Sequence, residues 1–172
     1  AGLPTAVCKG DGVPDVSWQD LIPKSTVSPE TMEALGPVIE GQRLFNQGRY
    51  PEAAAVYHQA LEQFPHRSAG RVLIYNKLGI LHEKTGDLRR ALDSYEKSVQ
   101  EGALTPFTYQ RMGCLHLEAE RLSKALECAQ QGIKVLKKAR TSLPQEIYFW
   151  FVFQNLKRKI TRRLRLRSGS HR

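Results

Sequence analysis

The sequence predicts an all-α fold built from consecutive helical hairpins. Apolar side chains recur three and four residues apart through the middle of the chain, and the pattern returns after 34 residues. At 172 residues the chain is long enough to bury a substantial core. We therefore predict about three helical hairpins followed by a C-terminal helix that covers the last of them.

The composition excludes several classes of protein. Three cysteines without a CxxC pair do not make a disulfide scaffold or a zinc ribbon. The longest apolar run, Ile147 to Phe153, has seven residues, far fewer than the roughly 20 of a membrane-spanning helix. Cysteines of this kind slightly favour an intracellular location, in the cytosol or an organelle matrix.

The positive charge is concentrated at one end of the chain. The net charge is +9, and the last 16 residues carry eight bases and no acid. The remaining 156 residues are nearly neutral. The chain is thus a neutral body with a basic C-terminal segment.

An internal repeat divides the middle of the chain into three units. Residues 75–95 align with residues 109–129 at an offset of 34, and an earlier copy occupies residues 40–65. Tyr75, Gly79 and His82 have their counterparts at Tyr109, Gly113 and His116. We place the units at residues 34–71, 72–105 and 106–139, between an irregular arm of residues 1–33 and a C-terminal segment of residues 140–172.

Each unit has the features of two antiparallel helices joined by a tight turn. In the middle unit Gly79 and Ala91 are small where the two helices would approach most closely. Gly86 followed by Asp87 is typical of a helix C-terminus followed by a helix N-cap. Thr105-Pro106 predicts the start of the third unit with a cap and a first-turn proline.

These residues resemble the tetratricopeptide repeat (TPR) family over about 106 residues. The middle unit carries the pattern most fully, and the first and third units depart from it at Pro37, Leu44, Glu120 and Ala129. The resemblance implies a right-handed helical array with a concave groove. Its groove positions fall on the first helix of each unit, at Gln42, Phe45, Asn76, Ile80, Glu83, Phe107, Gln110, Arg111 and Cys114.

A groove of this kind implies binding of a peptide or another protein subunit. Asn76 and Gln110 are equivalent amides, which offer both a donor and an acceptor to an extended peptide backbone. The family's clamp for the C-terminal carboxylate of heat-shock chaperones is mostly missing, since only Arg111 is kept. Val38, Gln42, Lys77 and Phe107 occupy its other positions, so we do not expect chaperone tails to bind through it.

The two flanking segments carry further candidate contacts. Trp18 lies in the N-terminal arm, where it either covers the first repeat or anchors a partner. Ser142 and Gln145 form a predicted capping box for a C-terminal helix. The aromatic residues Phe149, Trp150 and Phe153 either seal the last repeat or form an interface with another subunit.

The basic half of the C-terminal helix predicts an anionic partner. Like charges without intervening acids repel one another, so RNA, an anionic membrane surface or an acidic protein are the alternatives. A solvated tail is the alternative without a partner. The bases concerned are Lys157, Arg158, Lys159, Arg162, Arg163, Arg165 and Arg167.

No motif predicts catalysis, a cofactor or a metal site. Lys84-Thr85-Gly86 and Ser94-Tyr95-Glu96-Lys97 match motifs of penicillin-recognising enzymes, but in the wrong order and ten residues apart. We therefore predict a non-enzymatic TPR adaptor or scaffold that mediates protein–protein interaction, with assembly factor for a larger complex as one such role. The alternative is a structural subunit of a ribonucleoprotein or membrane-associated assembly, anchored by the basic helix.

Overall fold

The computed structural model describes residues 29–102, 105–138 and 143–169, and all regular structure within these ranges is helical. Helices α1 to α4 belong to one compact unit, and helices α5 to α7 belong to a second. The seven helices are α1 Pro29–Asn46, α2 Tyr50–Gln63, α3 Ala69–Lys84, α4 Leu88–Gln100, α5 Pro106–Glu118, α6 Leu122–Lys138 and α7 Leu143–Gly169. The fold class is therefore all-α, with three helical hairpins followed by one long helix.

Helix α1 begins earlier than the repeat pattern indicates. It starts at Pro29, five residues before the predicted first unit, so the last part of the predicted irregular arm is helical. Pro37 lies inside this helix instead of interrupting it. A proline there lacks one backbone donor, and the burial of Leu35 and Val38 on either side offsets that loss.

The hairpin turns follow one backbone pattern in all three repeats. Gly48 and Gly86 both adopt the left-handed conformation, with φ of +77° and +79°. Glu120 takes the same place in the third hairpin with φ of +55°. After the second turn, the Asp87 carboxylate accepts a hydrogen bond of 3.0 Å from the backbone N–H of Arg90 and caps α4.

The core of the first unit is built around two glycine–tyrosine pairs. Tyr57 and Tyr95 are fully buried, and their rings lie against Gly41 and Gly79 respectively. A Cβ atom on Gly41 would lie 2.5 Å from the ring of Tyr57. The absence of a side chain at these glycines lets the two helices of each hairpin approach closely. Around the pairs pack Leu35, Val38, Leu44, Ala53, Ala60, Leu61, Ile74, Leu78 and Leu81.

The core of the second unit is completed by helix α7. Phe153, Leu156 and Ile160 on α7 are fully buried against Cys114, Leu117, Leu122, Ala125 and Ala129 of the third hairpin. The third repeat has Ala129 where the second has Tyr95, and α7 fills the space that the small residue leaves. Phe153 therefore belongs to the capping interface, and the hypothesis that it forms an interface with another subunit is wrong for this residue.

None of the helices in the described ranges combines the length and the apolar character that a membrane-spanning helix requires.

Candidate peptide-binding surface

Five of the predicted groove residues lie on α1 and α3, the first helices of the first two hairpins. Gln42, Phe45, Asn76, Ile80 and Glu83 are all half-buried. Half-burial holds a side chain in place while leaving part of it accessible. Both helices belong to the first compact unit, so the distances between their side chains describe a single surface.

A hydrogen bond joins the two helices across this surface. Lys77 Nζ donates to Gln42 Oε1 at 2.6 Å, and Gln42 Nε2 donates to Asn46 Oδ1 at 2.8 Å. The Lys77 ammonium is thereby held at the side-chain amide of Gln42, which in turn contacts the amide of Asn46. A charge-assisted bond of this length fixes the position of the positive charge better than a solvated lysine would allow.

The apolar part of the surface consists of one aromatic and one aliphatic side chain. Phe45 packs edge-to-face on Tyr50, with ring centroids 5.5 Å apart. Ile80 lies on α3, one turn beyond Asn76 and Lys77. Both side chains are partly accessible, so each can contact an apolar side chain of a ligand.

The acidic part of the surface is set by a contact within the second hairpin. Tyr95 Oη donates to Glu83 Oε1 at 2.6 Å, which fixes the carboxylate over the end of the buried tyrosine ring. Lys77, Ile80 and Glu83 therefore follow one another along α3 as a basic, an apolar and an acidic residue. Three residues of helix advance about 4.5 Å, so the Cα atoms of Lys77 and Glu83 lie about 9 Å apart along the axis.

The predicted groove residues of the third hairpin differ from one another in burial. Phe107 and Arg111 are half-buried, but Gln110 is 2% exposed and Cys114 belongs to the core formed with α7. The prediction that Gln110 and Cys114 contact a peptide is therefore wrong for this structure. The Gln110 amide is not the accessible counterpart of Asn76, because α5 is buried over most of its length.

Two residues of this surface, Lys77 and Asn46, are not among the groove positions that the family resemblance implies. The resemblance marks Lys77 only as a departure from the chaperone clamp. The signal for Asn46 was its position four residues after Gln42, which places the two amides on the same side of α1. Val38, another clamp position, is buried in the core and presents no side chain to a ligand.

The bases of the C-terminal segment do not form one uniform set. Arg158, Lys159, Arg162 and Arg165 are exposed, and Lys157 is half-buried. Arg163 instead donates to the Leu117 carbonyl oxygen at 2.9 Å and forms an ion pair of 2.5 Å with Glu120. Arg163 thus attaches α7 to the third hairpin. The side chain of Arg167 lies outside the described residues.

The predicted aromatic interface is also divided by the structure. Trp150 is 54% exposed, Phe149 is half-buried, and Phe153 is fully buried. Trp18 lies outside the described residues. Nowhere in the described ranges do three or more histidine, cysteine or acidic side chains group as a metal site would require.

The helical hairpins with their half-buried first-helix surface define a helical-repeat protein. The sequence model of the family described as Tetratricopeptide repeat matches residues 41–100, the part of the chain that carries both glycine–tyrosine pairs. Residues 41–100 are therefore tetratricopeptide repeats.

Known proteins with similar sequences share this repeat. The chain is 29% identical to Hsp70-Hsp90 organizing protein 3 of Arabidopsis thaliana over 98 residues, which cover 55% of this chain and 16% of that protein. It is 29% identical to the Photosystem I assembly protein Ycf3 of Cuscuta gronovii over 121 residues, which cover 65% of this chain and 70% of that protein. The chain thus spans a small part of the first relative and more than two thirds of the second.

Solved structures share the fold. The Sgt2 TPR domain from Aspergillus fumigatus superposes with a TM-score of 0.61 at 19% identity, and the match covers 84% of this chain and 88% of that domain. At this identity the match concerns the fold alone.

Proposed function

We propose that this protein is a non-enzymatic adaptor that binds a segment of another protein on the surface of α1 and α3. The observation that carries the proposal is the hydrogen bond from Lys77 to Gln42, which fixes a positive charge beside accessible amides. The names of its relatives, which include an organizing protein and an assembly protein, agree with a role in bringing other proteins together.

The order of side chains along α3 indicates the chemistry of the ligand. The carboxylate of an acidic residue fits Lys77, an apolar side chain fits Ile80 and Phe45, and a basic residue fits Glu83. An extended peptide advances about 3.3 Å per residue, so the 9 Å between Lys77 and Glu83 along α3 corresponds to about three residue steps, with one or two residues between the charged ones. The expected ligand is a short extended segment with an acidic residue, an apolar residue and a basic residue in that order or its reverse.

The half-buried amides of Gln42 and Asn76 supply the remaining specificity. An extended peptide presents unpaired backbone N–H and C=O groups, and each side-chain amide has both a donor and an acceptor. Such contacts recognise the backbone whatever the peptide sequence, while the charges select the side chains.

The proposal can be tested by selecting peptides from a random phage-displayed library on the complete chain. The selected peptides should contain the acidic–apolar–basic pattern and bind with micromolar affinity in calorimetry. The double variant Asn76→Ala/Lys77→Ala should weaken binding at least about tenfold. Gln59→Ala/Arg89→Ala changes the same residue classes at exposed positions of α2 and α4 and should leave binding unchanged. Equal loss in both variants would contradict the proposal.

A second contact surface is supported by the exposed bases of α7. We propose that they attach the adaptor to an anionic partner, and this attachment does not depend on the peptide surface of α1 and α3.

A further inference from the structure

Helix α7 has two opposite sides of different character. One side covers the third hairpin and carries the half-buried Phe149 and the buried residues Val152, Phe153, Leu156 and Ile160. Steps of three and four residues place a second set on the opposite side of the helix, namely Ile147, Phe151, Gln154, Arg158, Arg162 and Arg165. We call this second set the outer stripe. It extends over about 27 Å of the helix axis.

The outer stripe is apolar in its first turns and basic afterwards. Ile147 is 61% exposed and Trp150, which borders the stripe, is 54% exposed. Tyr148 and Phe151 are also exposed beside them. Four large apolar side chains on two turns of one helix are more than the scattered apolar residues of an ordinary surface.

The only acid of α7 is Glu146 in its first turn, so the acid and the basic part of the stripe lie at different ends of the helix. Arg158, Arg162 and Arg165 of the stripe and Lys159 beside it are exposed, and residues 147–169 contain no acid. Glu120 on the neighbouring hairpin is paired with Arg163, which lies away from the stripe. The positive charge of the stripe therefore favours binding to an anionic surface.

We propose that the outer stripe binds the surface of a membrane containing anionic phospholipids. The bases contact lipid phosphates and carboxylates, and the exposed side chains of Ile147, Tyr148, Trp150 and Phe151 enter the interface between headgroups and acyl chains. Tryptophan and tyrosine favour this interface because their rings are partly apolar and partly polar. A straight stripe suits a flat surface without needing a complementary shape.

The exposed aliphatic side chains favour lipid over RNA. RNA phosphates attract the same bases, but Ile147 and Leu166 have no ring on which a nucleobase can stack. Leu166 is 66% exposed beside the bases. Aliphatic side chains gain free energy by leaving water for acyl chains, and a nucleic acid gives them no comparable environment.

The test uses the complete chain and flotation with vesicles. Vesicles of phosphatidylcholine with about 30 mol% phosphatidylserine should bind the protein at about 0.15 M salt, and pure phosphatidylcholine vesicles should not. Arg158→Gln/Lys159→Gln/Arg162→Gln should reduce the partition coefficient about a hundredfold, since each base near an anionic surface contributes about fivefold. Lys84→Gln/Arg89→Gln/Lys134→Gln, which removes the same charge at exposed positions elsewhere, is the matched control.

A second pair of variants tests the apolar turns. Ile147→Ala/Trp150→Ala should reduce binding at least about tenfold, and Ile39→Ala/Leu88→Ala, at two other exposed apolar positions, should not. In the variant Trp18→Phe the only tryptophan is Trp150, and its fluorescence should shift to the blue on binding anionic vesicles. Circular dichroism checks that every variant is folded.

Several outcomes would overturn the proposal. One is equal binding to neutral and anionic vesicles, or none to either. Another is that the Gln variants weaken binding to a single-stranded RNA oligonucleotide while anionic vesicles do not bind. A third is that Ile147→Ala/Trp150→Ala changes only the oligomeric state, measured by sedimentation, and leaves vesicle binding intact; the stripe would then contact a second copy of the chain.

Discussion

The ring of Tyr95 lies directly against the backbone of Gly79, and a Cβ atom on Gly79 would lie 2.6 Å from the ring. Gly79→Ala should therefore destabilise the first unit by about 1–3 kcal/mol, because a buried ring must move. Gly113→Ala is the control, since the one atom closer than 3.4 Å to its Cβ would be the terminal Cδ2 of Leu156, at 2.8 Å, and not an aromatic ring. Equilibrium urea denaturation measures the free energy of unfolding of both variants. Equal destabilisation would contradict the packing described for Tyr95.

The two buried tyrosines differ in their hydrogen bonds. Tyr95 donates to Glu83, whereas the hydroxyl of Tyr57 has no hydrogen-bond partner among the described residues. Phe45 occupies the position in the first repeat that Glu83 occupies in the second. Tyr95→Phe should therefore cost about 1 kcal/mol, and Tyr57→Phe should be neutral or stabilising. The same denaturation experiment checks this, and a larger loss in Tyr57→Phe would show that its hydroxyl has a partner.

Helix α7 offers a comparison between a buried and an exposed aromatic residue. Phe153→Ala should destabilise the second unit by about 3–5 kcal/mol, because the ring fills the space above Gly132 in the core. Trp150→Ala should change stability by less than about 0.5 kcal/mol, since Trp150 is largely exposed. The thermal unfolding midpoints of the two variants, followed by circular dichroism, measure this difference in stability. A large loss in Trp150→Ala would mean that Trp150 is part of the core.

Two adjacent arginines of α7 should also behave differently. Arg163→Ala removes the contacts with Leu117 and Glu120 and should cost about 1 kcal/mol. Arg162→Ala removes an exposed base and should leave stability within about 0.5 kcal/mol. Denaturation midpoints of the two variants provide the measurement. Equal midpoints would show that Arg163 does not attach α7 to the third hairpin.

Acid should weaken the first unit through Glu101. The backbone N–H of Arg67 and the guanidinium of Arg71, which donates at 2.7 Å, lower the pKa of the Glu101 carboxyl below its usual value of 4.5. A lowered pKa contributes stability that is present above the unfolded-state pKa and is lost as pH falls through the folded-state pKa. The difference in stability between the wild type and Glu101→Gln should therefore be largest near neutral pH and narrow below about pH 4.5.

Denaturant titrations of both proteins across this pH range test the assignment. A difference that stays constant from neutral to acid pH would show that the Glu101 charge does not stabilise the folded state.

The repeated part of the fold could be predicted from the sequence. The glycines, the aromatic residues and the turn at Gly86-Asp87 recur with a fixed spacing, and each has a local physical role that the spacing reveals. The structure confirms the helical hairpins, and the tetratricopeptide repeat model matches residues 41–100. The accessible part of the surface on α1 and α3 also follows from the repeat register.

The remaining features depend on contacts that no repeat specifies. In the sequence, Ala129 is a departure from the repeat pattern. In the structure, Leu156 and Phe153 of α7 pack against Gly113 and Gly132 and fill the space that a larger residue would occupy. In the sequence, Arg163 cannot be distinguished from the other bases of the C-terminal segment. Only the structure shows its contacts with Leu117 and Glu120. Gln110 and Cys114 have the register of groove residues, but the packing of α5 buries them. Pro37 is unfavourable inside a helix because it lacks a backbone donor, but α1 continues through it, with Leu35 and Val38 buried on either side.

The most direct test of the adaptor proposal is an NMR titration of the isotope-labelled chain with a selected peptide. The account predicts that the largest chemical-shift changes fall on Gln42, Phe45, Asn76, Lys77, Ile80 and Glu83, with little change at Gln59 or Arg89. Shift changes concentrated on α2 and α4, or on the outer stripe of α7, would contradict it and place the peptide site elsewhere.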